Sequence, residues 1–255
     1  MTVSAIIPAR FHSTRFPGKP LVSILGKSMI QHVYERVQRA THVDEVIVAT
    51  DDLRILSEVE SFGGKGRMTS PDHPSGTDRI AEVARELQTE IVVNVQGDEP
   101  LIHPEMIDLA VVPLLEEAGF PATTLRTPIL DERDLTDPNV VKVVTDRAGF
   151  ALYFSRFPIP YIRDSWRDFR AIRAVHPNPF WKHIGLYVYR RDFLLRFSEM
   201  APTPLERLEG LEQLRILENG YRIKAIETSH ASIGVDTPED LHRVERAMRA
   251  EARRA

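Results

Sequence analysis

Three cations, Arg10, Arg15 and Lys19, fall within ten residues of the segment Pro8-Ala-Arg-Phe-His-Ser-Thr-Arg-Phe-Pro-Gly-Lys-Pro20, which leaves the first apolar run of the chain. Fixed cations beside free backbone N–H groups suit a polyphosphate, because hydrogen bonds between charged donors and phosphate oxygens are the strong ones. Further along, the apolar run Ile91–Val95 ends in Gln96-Gly97-Asp98-Glu99-Pro100, and a second acid, Asp236, stands in Gly234-Val235-Asp236-Thr237-Pro238. A carboxylate facing a cationic phosphate loop can hold Mg²⁺ on a nucleotide, since Mg²⁺ takes one or two carboxylates together with substrate phosphates. Asp98 is the first candidate ligand and Asp236 the second. Asp236 could equally serve the cap of the helix that starts beside it.

These residues need a frame, and the spacing of apolar residues supplies one. Short β-branched runs alternate with helical patterns: strand-like Val3–Ile7, then Met29–Ala40 with Ile30, Val33, Tyr34 and Val37 on one face, then strand-like Val46–Ala49. Asp51 and Asp52 open a further helix, and Ser75 or Thr77 caps the next, with Ile80, Val83, Ala84 and Leu87 aligned. Ile91–Val95 is apolar throughout, as expected of a strand covered on both faces. This alternation predicts an α/β fold with a doubly wound, mostly parallel sheet. Ligands of such sheets bind beyond the carboxyl ends of the strands, where both the cationic loop and Asp98 fall. Later strands are expected at Thr123–Arg126, Val140–Thr145, Ile184–Tyr189 and Ile223–Ile226. Residues 164–182 read as a long exposed loop or lid, Leu205–Glu218 as one helix with Leu208, Leu211 and Leu214 in the core, and Thr237-Pro238-Glu239-Asp240 as a helix start.

Composition removes several chemistries. The 255 residues include no cysteine, which excludes disulfides, thiolate nucleophiles and cysteine-ligated zinc or iron–sulfur clusters. The net charge of −4 argues against a general nucleic-acid binder. That average conceals an asymmetry: Met1 to Tyr34 carries +4 with no acid, and His242 to Ala255 carries +3, leaving −11 for the remainder. Gly26-Lys27-Ser28 has the ending of a Walker loop, but Leu21 stands where its first glycine is required. No G-x-G-x-x-G follows the first strand, and Gly63-Gly64-Lys65-Gly66 reads as a turn, so a nicotinamide or flavin enzyme is not expected. The nine histidines show no H-E-x-x-H spacing. With no basic, apolar leader and no apolar stretch of bilayer length, the expectation is a cytoplasmic protein without membrane insertion.

Nine ordered blocks closely resemble the 3-deoxy-manno-octulosonate cytidylyltransferases, or CMP-Kdo synthetases. They are IIPARxxSTRxPGKPL (6–21), VATDD (48–52), SGTDR (75–79), VNVQGDEP (93–100), VKVV (141–144), ALYFSRxPIP (151–160), HIGLYVYR (183–190), LExxEGLEQLRILENG (205–220) and GVDTPEDL (234–241). The Arg- and Trp-rich stretch 164–178 matches no block of the family. The resemblance implies a Rossmann-like nucleotide-diphospho-sugar transferase fold, with helices on both faces of the sheet and a smaller β-rich part through which homodimers form. It implies one nucleotidyltransferase domain over 1–255: 1–120 mainly binding CTP, 121–230 binding the sugar acid and dimerising, and 231–255 supplying a metal ligand and the C-terminal helix.

The activity so implied is transfer of CMP from CTP to the anomeric hydroxyl of 3-deoxy-D-manno-octulosonate (Kdo), with release of pyrophosphate, to activate Kdo for lipopolysaccharide synthesis. Carried over by position, Arg10 and Lys19 look like triphosphate clamps, and Arg15 is shared with the sugar acid. Ala9, Ser75 and Arg79 look like parts of the cytosine and ribose pocket, Asp98 and Asp236 like the Mg²⁺ ligands. Gln96, Arg156, His183, Tyr187, Glu209, Glu212 and Gln213 fall in blocks that line the sugar site. Two other readings stay open: a cytidylyltransferase for a different 2-keto sugar acid, such as a sialic acid or an amino-substituted Kdo, and a nucleotide-sugar-dependent glycosyltransferase.

Overall fold

The structure is a computed structural model that describes residues 1–12, 16–163, 169–176, 178–230 and 232–253. Its strands are β1 (Val3–Ala9), β2 (Ser23–Ile24), β3 (Lys27–Ser28), β4 (Glu45–Thr50), β5 (Gly66–Met68), β6 (Ile91–Asn94), β7 (Ala122–Pro128), β8 (Lys142–Thr145), β9 (Ala151–Ser155), β10 (Trp181–Arg190) and β11 (Ile223–Glu227). Its helices are α1 (Met29–Val37), α2 (Leu53–Ser61), α3 (Gly76–Glu86), α4 (Pro104–Glu116), α5 (Glu132–Thr136), α6 (Phe169–Val175), α7 (Arg191–Glu199), α8 (Pro204–Glu209), α9 (Gln213–Glu218) and α10 (Pro238–Ala252).

Among the described residues the main sheet runs β11-β7-β10-β6-β1-β4-β5, with β8 and β9 attached through β10. The β6-β1-β4-β5 portion is parallel, as the alternating pattern predicted. β10 enters antiparallel between β6 and β7, while β7 and β11 are parallel to each other. The carboxyl ends of β1, β6, β7 and β11 therefore share one edge with the beginning of β10. Period-two alternation sends successive side chains to opposite faces. Val3, Ala5, Ile7 and Ala9 of β1 join the core under α1, α2 and α4, whereas Ile6 joins the core under α3 and α7. α10 closes a smaller core in which Val244 and Met248 meet Ile24, Met29 and Val235.

Two expectations require correction. Residues 164–182 are not one exposed loop: 164–168 and 177 lie outside the described residues, but α6 is a helix and Trp181 already belongs to β10. Phe169 and Ile172, one helical turn apart, bury with Phe180 against Ile129 and Leu135, and that apolar cluster orders the segment. Leu205–Glu218 is two helices. Gly210 adopts φ 62°, a left-handed conformation that ends α8 and breaks the helical phase. Spacing cannot be carried across such a break, so Leu211 and Leu214 are buried while Leu208 is 82% exposed.

The second half of this break is held by a buried ion pair. Arg215 donates through Nε to Glu206 Oε2 at 2.7 Å and through Nη2 to Glu206 Oε1, and Nη1 donates to the Met200 carbonyl at 3.1 Å. Their side chains are only 9% and 12% exposed, so deleting one partner leaves the other charge poorly solvated. Arg215→Ala is expected to destabilise the protein by roughly 3–5 kcal/mol in urea unfolding, whereas Arg215→Met combined with Glu206→Leu recovers most of that loss.

Candidate active site

The cationic loop begins where β1 ends at Ala9. It is closed by the Gly18 N–H donating to the Phe11 carbonyl at 2.9 Å; Gly18 takes φ 70°, which glycine adopts without strain. Directly after it, Lys19 projects its ammonium to Asp98 Oδ2 at 2.6 Å, to the Val235 carbonyl at 2.7 Å and to Asp236 Oδ1 at 3.4 Å. The Val235 N–H donates to the Asp98 carbonyl at 2.9 Å, so both acids are fixed to the same edge of the sheet. Asp236 is not the helix cap. Thr237 holds that position, its Oγ1 accepting from the Asp240 N–H while Asp240 accepts in return, which leaves the Asp236 carboxylate facing Lys19.

Pro8, Ala9, Arg10, Lys19, Gln96 and Asp98 line a cavity of about 440 Å³. Arg10 has no ion-pair or hydrogen-bonding partner among the described residues, so its charge is available to an anion. Gly97 is required by contact: a Cβ there would lie 2.9 Å from the Pro8 carbonyl oxygen. Arg15 lies outside the described residues.

A second cavity, of about 310 Å³, adjoins the first through Gln96, which lines both. Its walls include Asn139, Lys182, His183, Tyr187 and Gln213. His183 Nε2 lies 3.0 Å from Thr124 Oγ1 and its ring packs on Phe154 and Tyr187. Burial holds the His183 imidazole down at about 3, so it is neutral at physiological pH and presents a hydrogen-bonding group rather than a cation to the cavity. Burial likewise raises the Tyr187 phenol, with the Glu212 charge adding to the effect. The wall formed by 139–141 is pinned by Lys142, which is completely buried and donates to the carbonyls of Asp137 (3.0 Å), Val140 (2.6 Å) and Arg156 (2.5 Å).

Other sequence candidates sit around these cavities rather than in them. Arg79 is fully buried, with Nη2 donating to Asp51 at 2.9 Å and Nη1 to Thr69, so its guanidinium braces α3 behind the cationic cavity instead of lining it. Ser75 caps α3, its Oγ accepting from the Asp78 N–H at 3.1 Å, and presents Gly76 to the cavity. Arg156 directs its guanidinium to the carbonyls of Pro138, Glu209 and Gly210. Glu209 accepts from Ser155 Oγ at 2.7 Å and the Arg156 N–H at 2.9 Å, so the pair joins β9 to α8. Glu212 accepts from Thr77 and borders a third cavity with Ser75 and Asp78.

Sequence reasoning missed Lys182, Asn139 and Glu99. Glu99 borders a small pocket with Lys182, His183 and Ser232, and burial next to Asp98 raises its carboxyl to about 7. Its place directly after Asp98 was the available signal.

The family model described as Cytidylyltransferase matches residues 4–226. A 3-deoxy-manno-octulosonate cytidylyltransferase of Syntrophotalea carbinolica is 59% identical over 249 residues, covering 98% of this chain and 99% of its own. One from Geobacter metallireducens is 59% identical over 245 residues, 96% of each chain. A solved CMP:2-keto-3-deoxy-manno-octonic acid synthetase complexed with CTP superposes with a TM-score of 0.90 at 42% identity, covering 98% of this chain and all of that one. A 4-diphosphocytidyl-2C-methyl-D-erythritol synthase from Anaerococcus prevotii, at 16% identity and a TM-score of 0.62 over 97% and 96% of the two chains, shares the fold alone. With near-complete coverage at this identity, and with the family's ordered blocks assembled on one sheet edge, the chain belongs to the cytidylyltransferases and, within them, to the 3-deoxy-manno-octulosonate cytidylyltransferase family.

Proposed function

We propose that this protein transfers CMP from CTP to the anomeric hydroxyl of Kdo and releases pyrophosphate, activating Kdo for lipopolysaccharide assembly. The observation that carries the reading is the shared wall at Gln96: a cavity holding Arg10, which has no partner among the described residues, adjoins a cavity of sugar size lined by amides, a phenol, an imidazole and the Lys182 ammonium, a cation suited to a sugar carboxylate. The sugar hydroxyl oxygen forms a bond to the α-phosphorus, the bond to pyrophosphate breaks, and the hydroxyl proton is lost. Arg10 and Lys19 stabilise the charge that builds on the leaving pyrophosphate, while His183, Tyr187 and Gln213 orient the acceptor, so catalysis is mainly positioning and charge neutralisation. No covalent intermediate is needed, which agrees with a chain that lacks cysteine.

Asp98 and Asp236 fit Mg²⁺. The Lys19 ammonium already stands as a cation between them, and the donors around it are carboxylate and carbonyl oxygens. When bound there, Mg²⁺ supplies neutralisation of phosphate charge. The family names of the relatives favour Kdo over other 2-keto sugar acids and disfavour a glycosyltransferase. Among the described residues no helix is long and apolar enough to cross a membrane. We place the reaction in the cytoplasm, where CTP is made.

We also propose a homodimer. Leu152, Phe157, Tyr161 and Leu208 are 62%, 71%, 68% and 82% exposed, and the segments that carry them are bonded together through Ser155, Arg156 and Glu209. So many large apolar side chains in linked segments mark an association surface.

Pyrophosphate release is expected only when CTP, Mg²⁺ and Kdo are supplied together; absence of release from folded protein at saturating substrate overturns the assignment. Asp98→Ala and Asp236→Ala are each expected to lower kcat by about 10²–10³ or more with the circular dichroism spectrum unchanged, as for loss of a charge-stabilising group. Full activity in either variant removes that aspartate from the metal site. Sedimentation velocity is expected to give twice the chain mass of 29.0 kDa, falling to a single chain for Phe157→Glu or Leu208→Glu.

A further inference from the structure

His103, Glu105 and His230 come together where the start of α4 meets the segment after β11, and their nearest ligand atoms all lie within 4.8 Å of one another. His230 Nε2 is 2.8 Å from Glu105 Oε2, so an imidazole and a carboxylate already converge on one proton. His103 caps α4, its Nδ1 accepting from the Glu105 N–H at 3.4 Å. That bond is long, which leaves an unprotonated nitrogen lone pair weakly engaged. The two imidazoles stack at 4.0 Å between centroids with 9° between their planes.

We propose that His103, Glu105 and His230 form a transition-metal site, selective for Zn²⁺, Co²⁺ or Ni²⁺ over Mg²⁺. One of the two stacked rings turns about its Cβ–Cγ bond so that both ring planes meet at the ion; the divalent ion then replaces the proton shared by His230 and Glu105 and takes a His103 nitrogen as a third ligand, with water completing its shell. Two imidazole nitrogens and one carboxylate favour these ions, whereas Mg²⁺ and Ca²⁺ require oxygen ligands. The ion fastens together the two stretches that continue to the catalytic acids. His103 follows Asp98 on the way into α4, and His230 precedes Asp236, whose neighbour Val235 donates to the Asp98 carbonyl. The site stands on its own geometry and does not depend on which reaction the enzyme catalyses.

The test uses the full-length protein, stripped with a chelator and kept in excess Mg²⁺ so that oxygen-only sites are filled. Titration with Co²⁺, followed by its visible absorption, and with Zn²⁺, followed by calorimetry, is expected to show one equivalent bound. His103→Ala and His230→Ala are each expected to weaken that binding at least tenfold, consistent with the tenfold to hundredfold cost of disturbing even an outer-shell partner. Glu105→Gln weakens it by less, and Asp98→Asn leaves it unchanged. Because all three ligands are partly or fully exposed, the metal-free His103, Glu105 and His230 variants are expected to unfold cooperatively, with melting temperatures lowered by no more than about 4 °C, the order of a lost helix cap, which establishes that they fold. Absence of Co²⁺ or Zn²⁺ uptake over Mg²⁺, or uptake that survives both histidine substitutions, overturns the proposal.

Discussion

The Lys19 ammonium is the interaction on which the site depends. It joins the loop after β1, the turn after β6 and the segment before α10, which are remote in sequence and carry every charged group that lines the cationic cavity. Two carboxylates turned toward one cavity repel; at about 4 Å and an effective dielectric near 20, two like charges cost about 4 kcal/mol. A cation between Asp98 and Asp236 offsets that repulsion and lets both acids face the same space before any ligand arrives. The arrangement also suits exchange. Lys19 is largely buried but both acids are partly open to solvent, so an incoming metal and polyphosphate can redistribute the same charges without unfolding the edge.

Sheet topology brings the second cavity to this point. If β10 ran parallel to β6, its first residues would lie at the opposite edge. Running antiparallel, with Tyr187 paired to Asn94, it returns His183 and Tyr187 to the carboxyl end of β6, beside Gln96. The cavity wall at 139–141 touches that ladder only at its end, where the Val141 carbonyl accepts from the His183 N–H at 2.8 Å, and is otherwise held by Lys142, whose ammonium satisfies three carbonyls in place of water. An uncompensated lysine there would be prohibitively costly to bury, so the three bonds and the shape of the wall come as one unit.

Legibility in the sequence followed the strength of local signals. β1, β4, β6 and α1 to α3 carry clean periodicities and side-chain caps, and they form where those signals place them. α4 gave no amphipathic signal because its apolar residues are not confined to the buried stripe of Met106, Ile107, Ala110, Val111 and Leu114: Leu109, Val112 and Leu115 carry apolar surface round to the open side. α6 was concealed within a proline- and arginine-rich stretch, since its ordering comes from Phe180 and Ile129, contacts that local spacing does not report. Leu208 was assigned to the core by a periodicity that Gly210 interrupts, and a glycine inside a helical pattern carries no statement of whether it will turn left-handed.

By itself, the sequence determined the chemistry available: a cationic loop without nearby acids, two aspartates at strand and helix boundaries, no thiol, and family blocks that name a nucleotidyl transfer. Those properties depend on residue type and short spacing, which survive without coordinates. Only the tertiary structure decided which of these groups meet. It turned Asp236 toward Lys19 because Thr237 takes the cap. It placed Arg79, Arg156 and Glu209 in bracing roles because their polar atoms are engaged by Asp51, by backbone carbonyls and by Ser155. The reason is common to all of them: a charged side chain goes where its desolvation is best compensated, and the partners that compensate it here lie dozens to hundreds of residues away.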